Sequence, residues 1–237
     1  MRTTRRWTMR EVGGLAFLLC LVAPTWAAEM PPSYPAMSPI EQYRMVSASE
    51  EVALARSAAP TSISGDAEVL TLGNHGYETA VKGKNGFVCL VWRSWAAGFD
   101  DPNFWNPTLR SPICLNPAAA RSILPGYFDR TGWAIAGVSK SQMIERTRTQ
   151  LAAHSYIAPA PGAMSFMMSK QGYLGDGVGH WHPHLMFFVA HTDDAAWGAN
   201  LDGSPVFASQ SSPELVTTFY VPVPQWSDGT PAVMETH

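Results

Sequence analysis

The sequence lacks the residue patterns of several common catalytic families. It contains no Gly-x-Ser-x-Gly elbow, no Ser-x-x-Lys pair and no His-Glu-x-x-His segment, which disfavours serine hydrolases and helical zinc proteases. Its glycine-rich stretch, residues 172–179, has no Gly-Lys-Ser/Thr end and precedes a predicted strand. It is therefore neither a phosphate-binding loop nor a dinucleotide-binding fingerprint.

Charged residues are also scarce, at 15% of the chain, and basic residues are outnumbered. The formal net charge is −3, and it becomes about −6 when the basic residues 1–28 are set aside. An acidic surface argues against nucleic acid and anionic membranes as partners. No apolar run beyond the N-terminus approaches the length of a membrane span, so no transmembrane anchor is expected in the rest of the chain.

The N-terminus has the features of an export signal. Arginines cluster in residues 2–10, an apolar run covers residues 15–22, and Ala27 and Ala28 offer small side chains for cleavage. This pattern predicts a signal peptide over residues 1–28 and a periplasmic or secreted protein.

The remaining chain is predicted to hold a Pro-rich leader, residues 29–37, and one domain, residues 38–237. Only Cys89 and Cys114 remain after the signal peptide. In an oxidising compartment, two cysteines predict one disulfide. Two buried free thiols are the alternative.

The order of predicted elements is strands, then helices, then strands. This order predicts an α+β domain with a mainly antiparallel sheet and helices packed on it. Residues 77–81 and 87–92 flank an Asn-Gly pair and predict a hairpin. Residues 93–113 are predicted to be an irregular loop, and its aromatic rings are interpreted as core that covers a sheet edge.

Three histidines, His180, His182 and His184, are the only group of residues that suggests chemistry. If residues 180–184 are extended, the three imidazoles share one face and lie about 6.5–7 Å apart along the strand. Pro183 and the neighbouring glycines would allow the bend that brings all three to one metal ion. Solvated histidines, or histidines that bond backbone carbonyls, are the simpler interpretation.

The principal hypothesis is an exported metalloprotein with zinc bound by His180, His182 and His184. Three protein ligands would leave a fourth position for water, and the zinc would activate that water for hydrolysis. Asp176 is the nearest candidate base, although an Asp-Gly turn explains it more simply. His75 is a further candidate ligand from the neighbouring sheet region.

Two alternatives remain open. Met164 and Met168 on the adjacent predicted strand would favour copper and a redox role, because thioethers prefer Cu(I). The other alternative is a non-enzymatic protein that binds an envelope partner, a sugar or another small molecule through its Trp-rich loops. In that case the histidines would be structural or would sense pH.

Overall fold

The computed structural model describes residues 34–176 and 179–232, in which the principal element is an eight-stranded sheet. The strands are β1 (Glu68–Leu72), β2 (Tyr77–Val81), β3 (Val88–Trp92), β4 (Ser111–Leu115), β5 (Met164–Met167), β6 (His184–Ala190), β7 (Phe207–Ser211) and β8 (Val216–Pro222). The helices are α1 (Ala48–Arg56), α2 (Thr61–Ser64), α3 (Pro117–Ser122), α4 (Leu124–Ile135) and α5 (Lys140–Ala152). Short 3₁₀ turns cover Ile40–Tyr43, Ser94–Ala96 and Ala195–Trp197. The expected signal peptide and residues 29–33 lie outside the described residues.

The strand order across the sheet is β2-β1-β3-β4-β5-β6-β8-β7. All neighbouring pairs are antiparallel except β1 and β3, which are parallel. The α+β class is therefore confirmed, and the sheet is mixed rather than wholly antiparallel.

The predicted hairpin between β2 and β3 is wrong. β2 pairs with β1 through a tight turn in which the Gly73 amide donates to the Gly76 carbonyl. The Asn-Gly segment instead crosses the end of β1, where the Lys84 amide donates to the Asp66 carbonyl and the Asn85 side chain donates to the Ile63 carbonyl. These distant partners place β3 beside β1 in parallel.

Strand β4 begins within residues 93–113, so the prediction of an irregular loop is wrong for the end of that segment. Pro112 makes this strand difficult to predict from the sequence, because proline is unfavourable inside a sheet. The proline lies opposite Val91 of β3, whereas β5 pairs only with Cys114 and Leu115 further along β4. The missing N–H therefore interrupts no bond to β5.

The predicted disulfide is confirmed. Cys89 and Cys114 are bonded and lie directly opposite each other on β3 and β4. Both residues are fully buried under α1, which packs on β1, β3 and β4 and covers this outer face of the sheet.

Helices α3–α5 cover part of the opposite, inner face of the sheet. Their local sequences explain where they begin: Asn116 caps α3, and Ser139 with Gln142 forms a capping box for α5. The aromatic rings of residues 93–113 join this inner core, which confirms their interpretation as core. The buried rings are those of Trp95, Phe99, Phe104 and Trp105, all at most 7% exposed. These buried rings offer no surface for stacking on a sugar.

Within the described ranges, no helix combines the length and apolarity needed to cross a bilayer.

Candidate functional site

A cleft of about 1080 Å³ lies on the inner face of the sheet. One side is formed by strands β6, β8 and β7, and the other by α3–α5 with the segments that precede and follow them. Because the helices pack mainly over the other half of the sheet, this half is left accessible from one side. Its size is slightly above the range typical of small-molecule sites.

The floor of the cleft is largely apolar and comes from alternate residues of β6 and β8. Met186 lies opposite Tyr220, and Phe188 lies opposite Thr218, so these four side chains project from the same face. Met186 and Phe188 are 3% and 5% exposed. The Tyr220 hydroxyl and the Ser209 hydroxyl of β7 are hydrogen-bonded at 2.8 Å.

The opposite wall begins where α3 meets α4. Ile123, at this junction, and Tyr127, one turn into α4, face the cleft together with Leu151 near the end of α5. The Tyr127 ring lies 5.4 Å from that of Trp92 at the end of β3. These groups give the wall the same mixed aliphatic and aromatic character as the floor.

An ion pair joins the two sides of the cleft. Arg130 of α4 donates to the Glu214 Oε1, and Glu214 lies in the turn between β7 and β8. The other terminal nitrogen of Arg130 donates to the carbonyls of Trp95 and Ala97 at 3.1 and 2.9 Å. The guanidinium also lies over the Phe99 ring at 4.0 Å, so Arg130 is held by contacts on several sides.

Two polar atoms of cleft residues are buried without a hydrogen-bond partner among the described residues. They are the second carboxylate oxygen of Glu214 and the indole nitrogen of Trp92. A buried polar atom without a partner is costly, and such an atom at a cleft can be satisfied by a ligand.

The mouth of the cleft carries exposed apolar side chains on both sides. Ile157 follows α5 and is 58% exposed, and Leu215 precedes β8 and is 60% exposed. Leu215 has a φ of +56°, in the left-handed region that leucine rarely adopts. Strain of this kind is concentrated at functional sites.

The histidine segment lies at the far end of β6. The strand begins at His184, so residues 180–183 precede it and are not part of it. His180 is exposed, and its ring lies 6.1 Å from that of Tyr173. His182 contributes its carbonyl, which lies 2.8 Å from His184 Nδ1.

His184 is part of a buried aromatic cluster. Its ring centre lies 4.5 Å from Trp181 and 5.9 Å from Tyr220, and the residue is 2% exposed. Burial lowers the pKa of His184 to about 4, from an ordinary value of 6.5. The imidazole is therefore neutral near pH 7, when its Nδ1–H donates to the His182 carbonyl.

Asp176, the candidate base, ties the glycine-rich stretch to its surroundings. Its carboxylate accepts hydrogen bonds from the hydroxyls of Tyr173 and Tyr34 and from the Asn106 amide. The bonds from Tyr173 and Tyr34 hold the pKa of Asp176 below its ordinary value. A carboxylate stabilised in this way is a weak base at neutral pH.

The pairing of the strands does not bring the remaining predicted ligands close to the histidine segment. His75 is exposed in the turn between β1 and β2, at the other end of the strand order. Met164 lies opposite Phe187, on the face of the sheet away from His184, and the strand residue opposite His184 is Met167. Within residues 34–176 and 179–232, no group of three or more His, Cys, Asp or Glu side chains is placed to hold a metal ion. The metal site stays a prediction from the sequence.

Sequence reasoning missed the cleft. Its central ion pair joins residues 84 positions apart, and its floor and wall come from elements on both sides of the helical segment. The sequence signal for the cleft is weak. Both faces of β6 carry apolar residues, so the pattern does not show which face the helices leave uncovered.

No protein-family model matches the chain, and no significant match is found among curated proteins or solved structures.

Proposed function

We propose that this protein binds a small amphipathic molecule in the inner cleft. The observation that carries the proposal is the cleft itself: an apolar floor on β6 and β8, polar and charged groups around it, and about 1080 Å³ of space. Small-molecule sites typically combine a mainly apolar lining with a small number of placed polar groups.

The mouth of the cleft supports this proposal. Ile157 and Leu215 are exposed on its two sides, and a ligand seated between them would remove both from water. The left-handed backbone at Leu215 costs free energy that an ordinary turn residue such as asparagine would largely avoid. Contact with a ligand is a reason for leucine at this position.

The test uses the neutral fluorescent probe Nile red, whose emission rises in apolar surroundings. We expect saturable binding by the wild-type protein and displacement of the probe by decan-1-ol. Leu215→Asn removes an apolar contact but suits the left-handed backbone, so it should weaken probe binding about fivefold without loss of folding.

Leu201→Asn is the matched control, since Leu201 is 54% exposed and is not part of the cleft. It should bind the probe like the wild type. Absence of saturable binding to the wild type would overturn the proposal. Equal affinity of the Leu215→Asn protein and the wild type would remove the support that Leu215 gives it.

A further inference from the structure

The charges around the cleft are unbalanced. Its described lining residues include three acidic residues, Asp100, Asp101 and Glu214. They include no lysine and a single arginine, Arg130. His154 and His191 lie on the rim and are exposed. Acidic groups in a low-dielectric cleft raise the local concentration of cations.

Arg130 is poorly placed to receive a ligand carboxylate. One of its terminal nitrogens donates to Glu214 and the other to two backbone carbonyls, while Phe99 covers one side of the guanidinium. An anionic ligand would have to displace Glu214, which would leave that carboxylate without its partner in a part-buried site.

Glu214 has the opposite property. Its Oε1 accepts from Arg130, but its Oε2 is buried and has no hydrogen-bond partner within the described residues. The Glu214 side chain is 21% exposed, so a small rotation would turn this oxygen towards the cleft, where a ligand N–H group would satisfy it with a charge-assisted hydrogen bond. Asp101 uses Oδ1 to accept from the Asn103 amide.

Aromatic rings complete a surface suited to cations. Trp92 and Tyr127 lie side by side on one side of the cleft, and Phe188 and Tyr220 lie on its floor. Ring faces attract ammonium groups, and they also accept the apolar body of a ligand.

We infer that the cleft selects amphipathic amines, with the ammonium group at Glu214 and the apolar body on Met186 and Phe188. This inference rests on the proposed function and names its ligand class. The same cleft would accept a neutral analogue less tightly and would reject an analogue with a carboxylate.

The experiment compares three ligands with the same ten-carbon chain: decylammonium, decan-1-ol and decanoate. Each displaces Nile red from the full-length protein at low ionic strength, at concentrations below the solubility limit of decan-1-ol and below those at which decylammonium and decanoate form micelles. Decylammonium should bind about tenfold more tightly than decan-1-ol, and decanoate should bind least tightly. Added salt should reduce the preference for the amine.

Three single variants test which carboxylate binds the ammonium group. Glu214→Gln should bring the ratio of amine to alcohol affinity close to one. Asp101→Asn leaves the Arg130–Glu214 pair intact and should lower the same ratio by a smaller factor, which keeps a test available if Glu214→Gln does not fold. Glu145→Gln, on the exposed side of α5 away from the cleft, should keep the wild-type ratio.

The outcomes separate the two proposals. Binding of all three ligands with similar affinity, or tightest binding of decanoate, would overturn the inference about amines and leave small-molecule binding in place. Failure of Nile red and of all three ligands to bind would overturn both.

Discussion

The Arg93 guanidinium donates to Glu51 Oε1 at 2.7 Å, and the two side chains are 0% and 4% exposed. The same carboxylate oxygen accepts the Leu72 amide at 3.2 Å, and Arg93 also donates to the carbonyls of Tyr43 and Val91. This pair therefore joins α1 to the ends of β1 and β3. Glu51 belongs to the same helix that covers the disulfide.

Removal of the Glu51 carboxylate should strongly destabilise the protein. Glu51→Ala leaves the Arg93 charge buried without its partner, and we expect a loss of about 3–5 kcal/mol in the free energy of unfolding. Urea unfolding at pH 7 measures it. The double variant Arg93→Met/Glu51→Leu should recover much of this loss, because no unpaired charge remains.

The exposed pair of Glu145 and Arg148 is the control for this prediction. Their side chains are 72% and 62% exposed, and exposed pairs contribute little to stability. Glu145→Ala should change the free energy of unfolding by less than about 1 kcal/mol. A loss for Glu51→Ala no larger than this would show that the buried pair is not a main structural contact.

The disulfide should contribute substantially to stability. The bond closes a loop of residues 90–113, and on the chain-entropy model such a loop is worth about 3 kcal/mol. The Cys89→Ala/Cys114→Ala variant should therefore unfold at lower urea concentration than the oxidised wild type. Because both cysteines are fully buried, the native protein should be reduced much more slowly than the unfolded protein. Equal unfolding midpoints with and without the bond would contradict the prediction.

Features that depend on one turn of chain were predictable from the sequence. Ser47 and Asn116 cap their helices as the residues around them indicate, because the bonded amide lies only three positions away. The disulfide was predictable for a different reason, since two cysteines allow one intramolecular pairing.

Features that depend on distant partners were not predictable. Asn85-Gly86 resembles a hairpin turn, yet Lys84 donates to Asp66 and Asn85 donates to Ile63, which no local pattern reveals. Three histidines fall within five residues, at positions 180, 182 and 184, but only His184 is in a strand, where Trp181 and Tyr220 bury it. Some residues that lie far apart in sequence are brought together by the fold: Arg130 and Glu214 are bonded across the cleft.

The predicted metal site can be tested directly. If the sequence-based hypothesis holds, protein purified without chelators or an affinity tag carries about one zinc or copper ion per chain, and His180→Ala/His182→Ala loses it. Elemental mass spectrometry gives the answer. A chelator should then also lower the melting temperature of the wild type, since a metal bound only to the native state stabilises it.

His75→Ala tests the further candidate ligand. His75 lies at the other end of the strand order from the histidine segment, so its removal should not change the metal content. Metal-free protein that remains metal-free after reconstitution would contradict the hypothesis. That result would leave the cleft as the candidate site.

The buried His184 should make stability depend on pH. Its pKa is lowered to about 4 in the folded protein by burial, against an ordinary value of 6.5. Between these values the unfolded chain takes up a proton that the native protein does not, so unfolding becomes more favourable as the pH falls. The full effect is on the order of 3 kcal/mol, lost between about pH 6.5 and pH 4.

Urea unfolding at pH 7 and pH 4.5 measures this effect, and His184→Phe isolates it. Phenylalanine can pack against Trp181, Tyr220 and Met167 but cannot be protonated, so the variant should lose much less stability across this range than the wild type. His75→Gln, a change at an exposed histidine, should behave like the wild type. If His184→Phe shows the same pH dependence as the wild type, acid destabilisation must come from other groups, among them Asp176, whose lowered pKa acts in the same direction at more acidic pH.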